Sequence, residues 1–250
     1  MESLYSILLL IEFCLALPIF ILLFFVKAPY GKFLQKGWGP SVGATTARII
    51  MELPAFMLPL VFFLFSGRTG DPVYLIFLGI WQLHYIQRTF IYPSILNKSS
   101  HKVPFLIILF SLVFNALNGW VNGYGIFIKL EVGTEWLLTP KFIIGCLIFI
   151  LGYVINLHSD YILRNLRDPG ETEYKIPNKG LFKFVSSPHY LGEILEWAGW
   201  ALLTWSLAGT AFLVFTCANL VPRAVTSLKW YRKTFPEYPA KRKAIIPFLF

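Results

Sequence analysis

Ionisable residues stand inside segments of this chain that are apolar enough to cross a bilayer. Three groups do so: Met51-Glu52-Leu53-Pro54, His84-Tyr85-Ile86-Gln87-Arg88, and Asn156-Leu157-His158-Ser159-Asp160 running on to Arg164 and Arg167. A charged side chain near the centre of a membrane helix costs about 2.5–3.5 kcal/mol on insertion scales, so such residues usually face a protein interior or a wet cavity. Several in one chain imply a polar pocket built within the membrane.

Composition sets the frame for that pocket. With 56% hydrophobic and 14% charged residues over 250 positions, and a mean hydropathy of +0.64, the chain carries more apolar surface than a soluble domain needs. Length and hydropathy give seven apolar segments, at 4–26, 50–66, 72–92, 104–122, 141–158, 190–206 and 207–224, the last two divided by a short turn at Ser206 to Gly209. The polar gaps are too short to fold independently. The expected architecture is all-α: one polytopic membrane-embedded domain over 1–250, a bundle of about seven transmembrane helices acting as a monomer. The first segment is long and lacks a basic leader, so it reads as a retained span.

The net charge of +9 could suggest nucleic acid. Its distribution argues for topology instead. Sorted by connection, 19 of the 22 Lys and Arg fall in the first, third and fifth loops and the tail, leaving Arg68, Lys129 and Lys141 on the other side. The positive-inside rule then places the C-terminus in the cytoplasm and the N-terminus outside. A nucleic-acid partner is not expected. Cys14, Cys146 and Cys217 lie in apolar segments with no CxxC pair and read as small hydrophobes.

Few polar stretches remain. The loop at 27–48 contains Gly37-Trp38-Gly39-Pro40-Ser41-Val42-Gly43, but Val42 breaks the GxGxxG pattern and no strand precedes it, so a Rossmann fingerprint is absent. The connection 159–188 has turn signals at Pro169-Gly170 and Pro177-Asn178-Lys179-Gly180, and could fold over a ligand as a lid. There is no HExxH, no GxSxG and no Walker loop, and four histidines are too few for a histidine-rich metal centre. No metal is expected.

Asn156, Asp160 and Arg164 are spaced i, i+4, i+8, with Arg167 three further on. If the helix continues past residue 158 they share one side. They then form either a surface ion pair or one wall of a cavity whose guanidinium groups suit phosphate. Glu193 and Glu196 enter an otherwise apolar, Trp-rich helix after His189. Glu193 can simply favour the helix N-terminus, and His189 can be a cap. Glu52 sits two residues before Pro54, a place where one helix could end and another start. Tyr85 is either an interfacial belt tyrosine or a phenol that donates a hydrogen bond to a substrate oxygen. His84 points elsewhere and reads as packing.

Together these strings resemble the steroid 5-alpha-reductase family. The resemblance runs from about Ala28 to the C-terminus. It is carried by Ala-Pro-Tyr-Gly-Lys at 28–32, Gly-Trp-Gly-Pro at 37–40, Met-Glu-Leu-Pro-Ala-Phe at 51–56 and His-Tyr-Ile-Gln-Arg-Thr-Phe-Ile-Tyr at 84–92. It continues in Asn-Leu-His-Ser-Asp-Tyr-Ile-Leu-Arg-Asn-Leu-Arg at 156–167, Tyr-Lys-Ile-Pro at 174–177, Leu-Gly-Glu-Ile-Leu-Glu-Trp at 191–197 and Arg-Lys-Ala-Ile-Ile-Pro-Phe at 242–248. It implies NADPH-dependent reduction of the 4,5 double bond of a 3-oxo-Δ4 steroid, with Glu52 and Tyr85 holding the ketone. It also implies a cofactor pocket at Asn156, Asp160, Arg167, Tyr174, His189, Glu193 and Tyr231, with Tyr30, Arg88, Asn97, Arg164 and Arg223 near the same NADPH. That pocket falls mainly in 141–250. Two positions depart from the family pattern: Met51 where Gln is usual, and His189 where Asn is usual. The Pro-His-Tyr run is also similar to the polyprenol reductase branch, so an isoprenoid lipid stays open as substrate. A membrane methyltransferase using S-adenosylmethionine and a lipid-binding protein with a decayed site are the competing classes. A bacterial inner membrane and the endoplasmic reticulum would suit the connections equally.

Overall fold

The computed structural model describes residues 1–26, 33, 37–96, 102–168, 171 and 173–250. Seven α-helices run in chain order: α1 (Glu2–Phe25), α2 (Ala44–Phe65), α3 (Pro72–Ile86), α4 (Phe105–Tyr124), α5 (Pro140–Arg164), α6 (Pro188–Thr204) and α7 (Leu207–Thr234). The chain is an integral membrane protein. Among the described residues five helical stretches are long and apolar enough to span a bilayer: α1, α2, Phe105–Lys129, α5 and α7. They turn large side chains outward, as Leu10, Leu17, Leu147 and Phe110 show. The expected spans at 72–92 and 190–206 are shorter α-helices, of 15 and 17 residues. The first continues without a break as a wider π-helical turn over Gln87–Leu96.

Local chemistry fixes several helix starts. Asp71 caps α3 by accepting from Val73 N at 2.9 Å, with Pro72 in the first turn. Thr139 and Pro140 do the same for α5, and Ser206 accepts from Gly209 N to cap α7. The turn between α6 and α7 is Trp205, left-handed at φ 48°, followed by Ser206; it is shorter than the expected Ser206 to Gly209. A two-stranded antiparallel ribbon, β1 (Ser41–Gly43) with β2 (Lys102–Pro104), was not foreseen for an all-α chain. It ties the loop before α2 to the start of α4.

Pro54 does not break α2. The helix runs through both Pro54 and Pro59. Pro59 removes the N–H that would reach the Ala55 carbonyl. Trp81 Nε1 donates to that carbonyl at 2.8 Å, Gln82 Nε2 donates to the Phe56 carbonyl at 2.9 Å, and Asn115 Nδ2 donates to the Met51 carbonyl at 2.7 Å. Trp81 of α3 thus takes up the carbonyl that Pro59 frees, which is one way membrane helices tolerate proline, and Gln82 and Asn115 add bonds to neighbouring carbonyls of α2.

The helices pack mainly as α5 on α6, α2 on α4, α1 on α7 and α6 on α7. The α5–α6 pair meets along a glycine seam. Gly145 and Gly152 on α5 face Gly199 and Gly192 on α6, spaced by seven on each helix, and a Cβ built on Gly152 would lie 2.5 Å from Glu196 N and from the Gly192 carbonyl. Small residues let membrane helices approach this closely. The aromatic core sits beside the seam: Phe77, Trp81, Tyr85, Phe149, Trp197 and Trp200 are all buried.

Candidate active site

Arg88, on the π-helical turn after α3, stands at the centre of the polar cluster. Its guanidinium is 3.7 Å from Asp160 Oδ2 on α5 and 3.8 Å from Glu193 Oε2 on α6. It also covers the Tyr92 ring, which Arg48 of α2 faces at 4.6 Å. Glu52 on α2 is within charge range of Arg88, His84, Glu193 and Arg48. Four helical elements therefore converge on one group of charges. The carboxylates outnumber the central guanidinium, and Asp160 Oδ2, although buried, has no hydrogen-bond partner among the described residues. A buried oxygen of that kind is open to a ligand donor.

The glycine seam sets part of this geometry. It brings the C-terminal end of α5 against the first turns of α6, where Asn156 Nδ2 donates to the His189 carbonyl at 3.0 Å. α5 does continue past residue 158, to Arg164, so Asn156 and Asp160 are both buried on one wall. Arg164 is exposed and covers the ring of its neighbour Tyr161, so it stands apart from the cluster.

Tyr85 is a core residue and not a belt tyrosine. It is 2% exposed, stacked on Trp81 at 5.0 Å, with His84 edge-on at 5.0 Å and Trp197 at 5.9 Å. Its phenol lies within charge range of Glu52, Glu193 and Arg88. Glu52 is half-buried and accepts from Asn115 Nδ2 at 3.4 Å.

A second, outer group is aromatic and cationic. Arg167 covers the Tyr174 ring at 4.9 Å; Tyr174 meets Trp230 edge-on; and Tyr231 stacks on Tyr238 at 5.1 Å. Burial pushes the Tyr174 phenol up from its ordinary value, with Arg167 opposing. In the same connection Glu171 accepts from Lys175 Nζ at 2.5 Å and from Asp168 N at 2.9 Å. The Lys175 hydrogen bond holds the Glu171 carboxyl below the usual range. Arg223 of α7 covers the Tyr190 ring at 5.1 Å, and Tyr190 lies within charge range of Glu193, Arg88 and Asp160. That stack extends the inner cluster to α7. His189 packs against Tyr190 at 4.2 Å. Tyr30, Asn97 and the Pro169-Gly170 turn lie outside the described residues.

The two groups offer a buried phenol, carboxyl and guanidinium groups and aromatic faces, a set suited to enzymatic chemistry. Comparison with known proteins points the same way. The family model described as 3-oxo-5-alpha-steroid 4-dehydrogenase matches residues 101–250. A steroid 5-alpha-reductase of Gossypium hirsutum is 40% identical, covering 100% of this chain and 98% of its own. The 3-oxo-5-alpha-steroid 4-dehydrogenase 1 of Bos taurus is 37% identical over 96% of this chain and 94% of its own. The chain belongs to the steroid 5-alpha-reductase family. It is an oxidoreductase acting on a CH–CH bond, which removes the methyltransferase and decayed-site readings.

Within this reductase the structure adds three features that the sequence reading passed over. His84 Nδ1 and Glu196 Oε2 lie 2.6 Å apart, both buried, so His84 does more than pack. Asn115, Asn118 and Asn122 line one face of α4, and the Asn122 side chain accepts from Trp200 Nε1 at 2.9 Å. Glu12 is fully buried on α1. The signal was available: three Asn at i, i+3, i+7 in an apolar helix, and one carboxyl alone in the first span.

Proposed function

We propose that this reductase uses NADPH to reduce the 4,5 double bond of a 3-oxo-Δ4 steroid. The convergence of Glu52, Tyr85, Arg88, Asp160 and Glu193 carries the reading. NADPH, when bound, supplies the hydride that the enone β-carbon accepts. Asn156, Asp160, Arg167, Tyr174, His189, Glu193 and Tyr231 are the residues that would hold it, with Arg88 and Arg223 bridging to the inner cluster. The fit is chemical: guanidinium groups suit phosphates, aromatic faces suit the adenine and nicotinamide rings, and buried carboxyl and amide groups suit ribose and carboxamide. Arg164, Tyr30 and Asn97 are assigned to the same pocket by resemblance.

Tyr85 is the proposed donor to the ketone oxygen. Negative charge develops there as the β-carbon is reduced, and an oriented donor in a dry site stabilises it most. Glu52 orients the phenol or shares its proton. Trp81, His84 and Trp197 hold the ring in place, and His84 is itself fixed by Glu196. The aromatic core excludes water from the reacting atoms. Protonation of the α-carbon completes the reduction.

The proposed arrangement in the membrane is a single domain over 1–250 with seven spans. The N-terminus lies outside, and the half at 141–250 holds the cofactor on the cytoplasmic side. Counting α3 and α6 as spans rests on their positions between longer helices and on the 19-to-3 division of basic residues. The protein acts as a monomer, in the endoplasmic reticulum or a bacterial inner membrane. A long-chain isoprenoid is the second substrate reading, favoured by Pro188-His189-Tyr190.

An NADPH-consumption assay against 3-oxo-Δ4 steroids and polyprenols, with product analysis, tests the reading. Oxidation of NADPH with a saturated 3-oxo product is expected; consumption with polyprenol alone would shift the substrate class. Arg167→Ala is expected to weaken NADPH binding about tenfold, the scale of one lost charge-assisted hydrogen bond. Titration of the purified variant with NADPH checks this, and unaltered affinity would remove Arg167 from the pocket.

A further inference from the structure

Deep in the bundle, two buried polar side chains leave atoms without a hydrogen-bond partner among the described residues: both carboxyl oxygens of Glu12, and Nδ2 of Asn118. Both residues are 0% exposed. Glu12 is the one charged residue between Ser3 and Val26. α1 turns it inward. Leu9, three residues before, clusters with Val121 and Ala211, and Ala16, four residues after, clusters with Phe215 and Ala218. Glu12 therefore enters the bundle where α1 meets α4 and α7.

Asn118 is oriented by its neighbour. Its Oδ1 accepts from Asn122 Nδ2 at 2.8 Å, which leaves its NH2 as the open end. Asn115, about one turn earlier on the same face, donates to Glu52 Oε2. The Glu12 carboxyl is itself within charge range of Tyr85. The orphaned groups thus border the same interior as the proposed ketone site, on the α1–α4 side of it. Leaving a carboxyl and an amide donor unmatched in an apolar interior is costly, so a partner is required when the site is filled.

We propose that Glu12 and Asn118 form a second polar anchor in the lipid chamber, holding a hydroxyl group at the end of the substrate remote from the enone. A hydroxyl suits both sides at once. Its oxygen accepts from Asn118 Nδ2 and its proton goes to a Glu12 oxygen. A ketone can only accept, so it would leave an acceptor oxygen of Glu12 unmatched, and a plain hydrocarbon end would satisfy neither residue. The anchor rests on the steroid-reductase reading and narrows it: it selects hydroxylated 3-oxo-Δ4 steroids over those with an apolar far end, and disfavours polyprenols. It sets specificity and takes no part in the reduction itself.

The test compares two 3-oxo-Δ4 steroids that are identical except for hydroxyl or hydrogen at the end remote from the ketone. Equilibrium binding of each to the full chain in nanodiscs, without turnover, is the primary readout. Wild type is expected to prefer the hydroxylated steroid about tenfold, the scale of two neutral hydrogen bonds. Glu12→Met and Asn118→Leu should each erase most of that preference and leave affinity for the deoxy steroid intact. Glu12→Gln, which keeps an acceptor oxygen, should retain part of it. Equal binding of both steroids by wild type would overturn the proposal and needs no variant to fold. So would Glu12→Met with the preference intact and a higher melting temperature, which would mean that ordered water fills the site. Failure of the parent reading is separable: a hydroxyl preference without NADPH-dependent reduction leaves the anchor standing and removes the reductase mechanism.

Discussion

Tyr85→Phe is expected to lower kcat for enone reduction about 100- to 1,000-fold, the usual effect of removing one donor aimed at a developing oxyanion. The substitution deletes a single oxygen. The ring keeps its stack on Trp81 and its contacts with His84 and Trp197, so the fold around it should persist. Affinity for NADPH should stay within about twofold, because the phenol oxygen is assigned to the ketone and none of the proposed cofactor side chains is altered. Single-turnover rates with a 3-oxo-Δ4 steroid, alongside a cofactor titration, separate the two effects. A variant retaining more than about a tenth of wild-type kcat would take the phenol out of the mechanism.

Gly152→Ala is the second large effect, and it acts through structure. The added methyl would sit 2.5 Å from Glu196 N and 2.5 Å from the Gly192 carbonyl, backbone atoms that cannot turn aside. The two helices must separate. Overpacking of this kind costs about 1–3 kcal/mol, or roughly 3–10 °C in melting temperature for a chain of this size. Separation also pulls Asn156 and Asp160 away from His189, Glu193 and Arg88, so NADPH affinity should fall with stability. Gly79→Ala is the control. Gly79 lies on an exposed face of α3 with no atom within 4 Å of its built Cβ, and there alanine should be neutral or slightly stabilising. Equal melting temperatures for the two variants would show that the seam does not carry the packing.

Much of the site was legible before any coordinates. Glu52, Arg88, Asp160 and Glu193 each sat in an apolar stretch, and insertion energetics alone demanded that they face inward. That they face one another follows from packing, which a single sequence does not print. His84 illustrates the gap. Beside Tyr85 on a helix it must point elsewhere, and no local pattern names its target; its partner Glu196 is 112 residues away. Pro54 illustrates the reverse error. Proline predicts a break where water is the only alternative partner, yet α2 runs through Pro54 and Pro59, and the Ala55 carbonyl that Pro59 frees is taken by Trp81 of another helix. Span lengths were blurred for a related reason. Hydropathy sees apolar runs, whereas α3 ends in a wider helical turn and α6 stops at a left-handed Trp205. The ribbon between β1 and β2 is too short to leave any alternation in the sequence.

The docking of α1 on α7 joins segments with residues 26–206 between them. During synthesis α1 enters the bilayer long before its partner exists. Until α7 arrives, the Glu12 carboxyl has only lipid, α4 or the translocation machinery to face. Closing this contact therefore waits until residue 207 and those after it have been made, by which point every other helix of the bundle is already present.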